Sequence, residues 1–161
     1  MVIDLAPTTT ADVDFVVSCE SDNDASAFIL PWTREQHLAA INDDDCAHLL
    51  IRDSANGQRL GFVMLFSVQS PHRSIEFRRI VCATKGRGIG RAAVREVKRL
   101  TFRTLHAHRL WLDVKVKNDR ARHLYRSEGF VEEGILRECL LEAGQFESLA
   151  IMSLLRSEYE G

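Results

Sequence analysis

The sequence predicts an α+β fold: a mostly antiparallel mixed sheet flanked by helices, with one βαβ unit. Three observations carry this. Apolar, β-rich runs at 46–52, 60–68 and 74–82 follow one another at hairpin spacing. The third run is half polar, holding Glu76, Arg78 and Arg79, unlike the near-continuous apolar strands of a fully buried parallel sheet. Between 74–82 and a further strand at 109–114 lies one helical segment, the crossover that a parallel pair requires.

Residues 2–5 read as a short first strand. Thr9 or Thr10 then opens a helix through Asp12, Phe15 and Val16, an N-cap followed by an acidic first turn. Residues 21–30 read as a loop. Thr33 begins a second short helix with Gln36 at capping-box spacing, and the aspartates at 43–45 close it as an exposed loop. The runs 46–52 and 60–68 flank Ser-Ala-Asn-Gly and form a hairpin. Residues 69–73 are a tight turn into 74–82. A glycine-rich loop leads into a helix through Leu105, with Ile89, Ala93, Val97 and Leu100 on one face and charge over most of the rest. Residues 109–114 are a strand and 119–128 a helix stopped by Gly129. A last hairpin pairs 130–141 with 146–155 around Ala143-Gly144.

The length of 161 residues predicts a single domain over 1–161. Net charge is -2, which does not favour nucleic acid or an acidic membrane as partner. No apolar run approaches the roughly 18 residues of a membrane span, and the acidic N-terminus lacks a basic leader region. Four dispersed cysteines without C-x-x-C spacing predict reduced thiols, a cytoplasmic setting and no metal site. The charge is unevenly spread: residues 1–60 hold 11 acids against 3 bases, and residues 73–126 hold 16 bases against 4 acids. That split is either chance surface charge or a basic half facing an anion beside an acidic half facing a cation.

The loop Lys85-Gly86-Arg87-Gly88-Ile89-Gly90 joins a strand to a helix. Glycines let successive N–H groups converge, the helix N-terminus adds positive potential, and Lys85, Arg87 and Arg91 add charge. A pyrophosphate fits this pattern better than a bare turn does. Walker A chemistry is excluded because no Gly-Lys-Ser/Thr follows. A Rossmann-type reading matches Gly88-x-Gly90-x-x-Ala93 with Asp113 twenty residues on. Against it stand the half-polar strand and the 71 residues after Gly90, too few for a second nucleotide-binding half.

The next helix places Asn118, Ala121 and Tyr125 on one face and is followed by Gly129-Phe130. Strand, Lys-Gly-Arg-Gly-Ile-Gly, helix, strand, then N-x-x-A-x-x-x-Y-x-x-x-G-F resembles the GNAT superfamily of acetyl-CoA-dependent N-acetyltransferases. The tail from Glu133 resembles the branch of ribosomal-protein N-terminal acetyltransferases related to RimJ and RimL. The resemblance is specific over about 74–135.

It implies that backbone amides from Arg87 to Arg91 hold the CoA pyrophosphate, within a cofactor loop spanning Lys85, Gly86, Arg87, Gly88, Ile89, Gly90 and Arg91. Ile80, Val81 and Cys82 would pair with pantetheine as a pseudo-strand and present a backbone N–H to the thioester carbonyl. Asn118 and Ala121 would border the pantetheine arm, Arg122 would contact an outer phosphate, and Tyr125 would face the sulfur. Each residue has a plainer reading. Asn118 is also a helix N-cap, Tyr125 a core aromatic, and Cys82 a packing residue rather than a nucleophile. Glu76 is a base or amine anchor, or the ion-pair partner of Arg78 or Arg79. Asp113 occupies an acidic position common in the family. Trp32 walls the acceptor pocket or covers the core.

The expected activity is acetyl transfer to a primary amine, on a small molecule or a peptide N-terminus, by direct attack in a ternary complex. A non-catalytic CoA-binding module and a Rossmann-type protein are the alternatives. The C-terminal hairpin offers a route to a homodimer.

Overall fold

A computed structural model describes residues 1–21 and 28–161. Helices α1 (Val13–Glu20) and α2 (Arg34–Ile41) follow strand β1 (Ile3–Pro7). Three antiparallel strands come next: β2 (Cys46–Asp53), β3 (Arg59–Phe66) and β4 (Ser74–Cys82). Helix α3 (Ile89–Arg99) ends in a π-helical turn, Leu100–Thr104, and leads to β5 (Arg109–Lys115). Helix α4 (Asp119–Ser127) precedes the long hairpin β6 (Val131–Glu142) and β7 (Gln145–Leu155). The seven strands run in the order β1-β2-β3-β4-β5-β7-β6. Among the described residues, the one parallel pair is β4 with β5. This is the expected α+β architecture, and an antiparallel sheet of this order excludes the Rossmann-type alternative.

Local chemistry fixes the helix starts. Asp12 accepts hydrogen bonds from the Thr9 backbone N–H and hydroxyl at 2.9 and 3.0 Å, opening a 3-10 turn that runs into α1. Thr33 and Gln36 form a reciprocal capping box at the head of α2. Helix α4 stops at Gly129, whose φ of +97° suits glycine at that position. The expected loop at 21–30 falls largely on residues 22–27, outside the described residues. The connection from β3 to β4 spans 67–73 with Ser67 and Arg73 at positive φ, longer than the expected tight turn.

The sheet carries a core on each face. Val63, Leu65, Ile75 and Phe77 pack with Ile89, Ala93 and Val97 of α3, Leu110 and Leu112 of β5, and Tyr125 of α4. Phe62, Met64 and Val81 pack with Val16 and Cys19 of α1, with Trp32 beside them. Alternation along each strand thus sorts side chains between an α1/α2 face and an α3/α4 face.

Candidate active site

An irregularity in β4 organises the site. Met64 of β3 pairs with Arg79 and Leu65 with Phe77, leaving Arg78 as an extra residue in a β-bulge. The bulge reverses the facing of the strand. Before it, Ile75 and Phe77 point to the α3/α4 core; after it, Ile80 and Cys82 do so, while Val81 joins the α1/α2 core. Glu76 and Arg79 therefore both fall on the α1/α2 side. On β5, Leu110, Leu112 and Val114 pack in the α3/α4 core, so Asp113 also falls on the α1/α2 side.

The strands then part. Strand β4 pairs with β5 only from Ser74–Arg109 to Glu76–Trp111. Beyond Glu76, residues 80–82 remain hydrogen-bonded to β3 on one edge, and their other edge faces a widening notch toward β5. Backbone N–H and C=O groups along an unpaired strand edge seek partners, and an amide-bearing arm can supply them.

Tyr125 lies at this notch on the α3/α4 side. Its ring is buried against Phe77 and Phe130, with centroids 6.3 and 5.7 Å away. Burial raises its pKa well above the ordinary tyrosine value, and the nearby Cys82 and Asp113 add to that. The hydroxyl is a donor at any physiological pH. Burial also pushes the Cys82 thiol up to about 11, with Arg120 opposing. Asp113 has its acid raised by burial of its surroundings and by the Glu76 carboxylate, with Arg78 opposing. Asp113 on one face thus acts electrostatically on Tyr125 on the other.

The glycine loop enters α3 beside the end of β4. Gly88 is the left-handed N-cap of that helix, with φ +72°. Side chains at Gly86 and Gly88 would meet no protein atom within 4 Å. The loop is therefore not glycine-rich for want of room against its own protein; the space beside it is open, next to the first-turn N–H groups of α3.

The other sequence-derived residues divide. Asn118 is the α4 N-cap, its Oδ1 accepting from the Ala121 N–H at 3.2 Å, which leaves its side-chain amide N–H₂ for other work. Ala121 packs partly buried against the core. Arg91 turns its guanidinium to Ser127 Oγ at 2.9 Å and Glu128 at 2.6 Å, leaving its backbone as its contribution to the loop. Arg122 departs from the expected phosphate contact. It donates to the Val116 carbonyl at 3.0 Å and pairs with Glu132 at 2.9 Å, bracing α4 against β6. Glu76 is ion-paired to Arg78, the plainer of its two readings. Trp32 stands on the same side of the sheet as Glu76 and Asp113, edge-on to Phe66 at 6.0 Å.

Three features are not predicted by the sequence. Gly61 of β3 lies against the backbone of Val81 and Cys82; a glycine inside an apolar strand was its only signal. Buried Glu128 gathers Arg91, Arg95 and Lys98 and locks α4 to α3. Under the α1/α2 face, Glu20 meets both His37 and Arg79. His37 continues to His48 at 3.1 Å, and His48 to Thr8 at 2.8 Å. Burial works to raise Glu20, but hydrogen bonds from His37 and Arg79 outweigh it and hold the acid below its usual range. Burial and His37 push His48 down to about 4.

Among known proteins, the Acetyltransferase (GNAT) family profile matches residues 15–130. A spermidine N(1)-acetyltransferase of Vibrio cholerae is 32% identical over 72% of this chain and 68% of its own length. A spermidine N(1)-acetyltransferase of Escherichia coli K12 is 27% identical over 98% of this chain and 88% of its own length. The crystal structure of the Vibrio cholerae spermidine N-acetyltransferase in complex with CoA and spermine superposes with a TM-score of 0.86. It is 27% identical and covers 97% of this chain and 96% of the other. The chain belongs to the GNAT acetyltransferase family; it is an acetyl-CoA-dependent acetyltransferase.

Proposed function

We propose that this GNAT acetyltransferase acetylates a primary amine of a polyamine by direct attack in a ternary complex. The observation that carries the reading is the notch between β4 and β5. It puts two carboxylates, Glu76 and Asp113, on one face and the Tyr125 hydroxyl on the other, with the unpaired edge of 80–82 between them. The spermidine-named relatives favour a polyamine over a ribosomal peptide N-terminus, although a ribosomal-type name also occurs among the relatives at 30% identity. The acidic N-terminal half supplies the long-range field that a polycation follows.

Bound acetyl-CoA supplies the thioester carbonyl. In this reading the α3 N-terminus and the loop 85–91 hold the pyrophosphate, Asn118 turns its free amide N–H to the pantetheine, and Ala121 keeps the passage narrow. A backbone N–H of Ile80, Val81 or Cys82 donates to the carbonyl oxygen as negative charge develops there. Glu76 and Trp32 orient the acceptor. The amine must lose a proton before it attacks, since a lysine-like ammonium has a pKa of about 10.4. Asp113, its acid raised beside the Glu76 carboxylate, takes that proton and passes it to water. Tyr125 donates a hydrogen bond to the thiolate as it leaves and keeps its proton, and the proton released when the attacking nitrogen becomes an amide passes to the thiolate or to water. Cys82 stays protonated and packs, which supports direct transfer over a covalent acetyl-enzyme.

The test is CoA release from acetyl-CoA across a panel of spermidine, spermine, a simple alkyl monoamine and peptides with free N-termini. The polyamines should give the highest kcat/KM. A peptide N-terminus preferred over all polyamines overturns the reading.

A further inference from the structure

Arg78 is the residue that the bulge adds to β4. It turns back on its own strand and grips Glu76 with two parallel bonds, Nε to Oε1 at 2.7 Å and Nη2 to Oε2 at 3.0 Å. The same guanidinium lies over the Phe66 ring, 4.7 Å from its centroid. The Arg78 side chain is 43% exposed and that of Glu76 11%. A planar cation thus occupies the carboxylate that an ammonium acceptor requires, at the mouth of the notch and within electrostatic reach of Asp113. It is also held twice. Losing Glu76 would leave it stacked on Phe66, an aromatic face that keeps a displaced guanidinium close.

We propose that Arg78 is a specificity-determining residue: it holds the Glu76 carboxylate as an internal counter-cation and yields it to the ammonium group of the acceptor. This inference rests on the amine site proposed above. It carries a consequence for selectivity. A weakly bound monoamine competes poorly with a bidentate guanidinium, whereas an acceptor with further ammonium groups gains elsewhere on the acidic face and displaces it. The cost of displacement is that of a bidentate, partly exposed pair, small enough for an acceptor with several ammonium groups to meet.

The test measures binding of spermidine and of n-butylamine by calorimetry, in the presence of CoA, to the unaltered protein and to Arg78→Gln. Removing the internal competitor should tighten both amines within about twofold to fivefold, n-butylamine more than spermidine, so that the preference for spermidine narrows; equal tightening of the two overturns the specificity role. Arg78→Lys, which keeps the charge but not the fork, should fall between. Unchanged or weaker amine binding in Arg78→Gln overturns the inference and makes Arg78 structural or an acceptor ligand. If Arg78→Gln does not fold, the Arg78 Nε–H resonance of the unaltered protein decides: it should move when spermidine saturates, and constancy overturns the proposal. If the unaltered protein binds spermidine no better than n-butylamine, the polyamine reading fails, while a larger gain by n-butylamine in Arg78→Gln still upholds the Arg78 inference. Binding of neither amine to either protein overturns both.

Discussion

Gly61 on β3 backs directly onto Val81 on β4: a Cβ added at Gly61 would sit 2.1 Å from the Val81 carbonyl oxygen and 2.9 Å from the Cys82 Cα. No rotamer relieves such a contact, because both partners are backbone. The glycine therefore sets how closely β3 holds the edge of β4 that faces the notch.

Gly61→Ala should lower stability by about 1–3 kcal/mol, the range for overpacking a core. It should also raise the KM for acetyl-CoA, because residues 81–82 must move. Denaturant melts and steady-state kinetics on the same preparation check this. A variant with unaltered acetyl-CoA KM would separate the strand spacing from cofactor binding.

Two glycines of the loop can be told apart. Gly88 has φ +72°, so Gly88→Val strains the backbone by about 1–2 kcal/mol as well as crowding the space beside the loop. Gly90 lies in the first turn of α3, and its added Cβ would meet only Leu124 at 3.9 Å. Gly90→Ala should leave stability unchanged or raise it by about 1 kcal/mol, while Gly90→Val should abolish acetyl-CoA binding in a folded protein. In the unaltered protein that affinity should fall as salt rises, because cations of the loop face phosphates. CoA affinity retained in folded Gly90→Val would remove the loop from the cofactor site.

Tyr125→Phe keeps the ring that packs on Phe77 and Phe130 and deletes the hydroxyl. Folding and acetyl-CoA affinity should survive, while kcat falls about a hundredfold or more, as for loss of a positioned acid. The raised Tyr125 pKa gives a further expectation: the alkaline limb of kcat, if present, should not report this tyrosine, and it should persist in Tyr125→Phe. An unaltered kcat, measured where chemistry limits turnover, returns Tyr125 to the core.

His48 is buried neutral, with its pKa depressed from 6.5 to about 4. Between those values the unfolded chain binds a proton that the folded chain does not, so stability falls as pH drops from 6.5 toward 4. The full effect is about 3 kcal/mol. Glu20 acts in the same direction at lower pH, because its folded pKa is depressed and its contribution disappears as it is protonated. Urea melts from pH 7 to pH 4.5 should show the slope above pH 4.5, and His48→Gln should flatten it. An unflattened slope would place the loss on other groups.

The β6–β7 hairpin exposes Ile135, Leu136, Leu141 and Phe146. Self-association through this hairpin is expected, with Leu141→Asp and Phe146→Asp together lowering the mass seen in sedimentation. Unchanged mass would move the interface elsewhere.

By itself the sequence determined what short-range chemistry controls. Thr33 with Gln36 caps a helix, Ala143-Gly144 turns a hairpin, Gly129 stops α4, and three glycines open a strand-to-helix loop, because each works through neighbours a few residues away. It also made the family resemblance legible, since the loop and the Asn118–Tyr125 spacing are local patterns. Tertiary structure alone decided the rest. The bulge at Arg78 exists only relative to the register of β3, so no periodicity in β4 reveals it. Glu20 and Arg79 are 59 residues apart in the chain, and their pairing follows from α1 packing on the face to which the bulge turns Arg79. The parting of β4 from β5 after Glu76 sets Asp113 and Tyr125 beside one notch on opposite faces of the sheet. Strand alternation assigns each residue a face, but only the splay of two strands lets the faces meet.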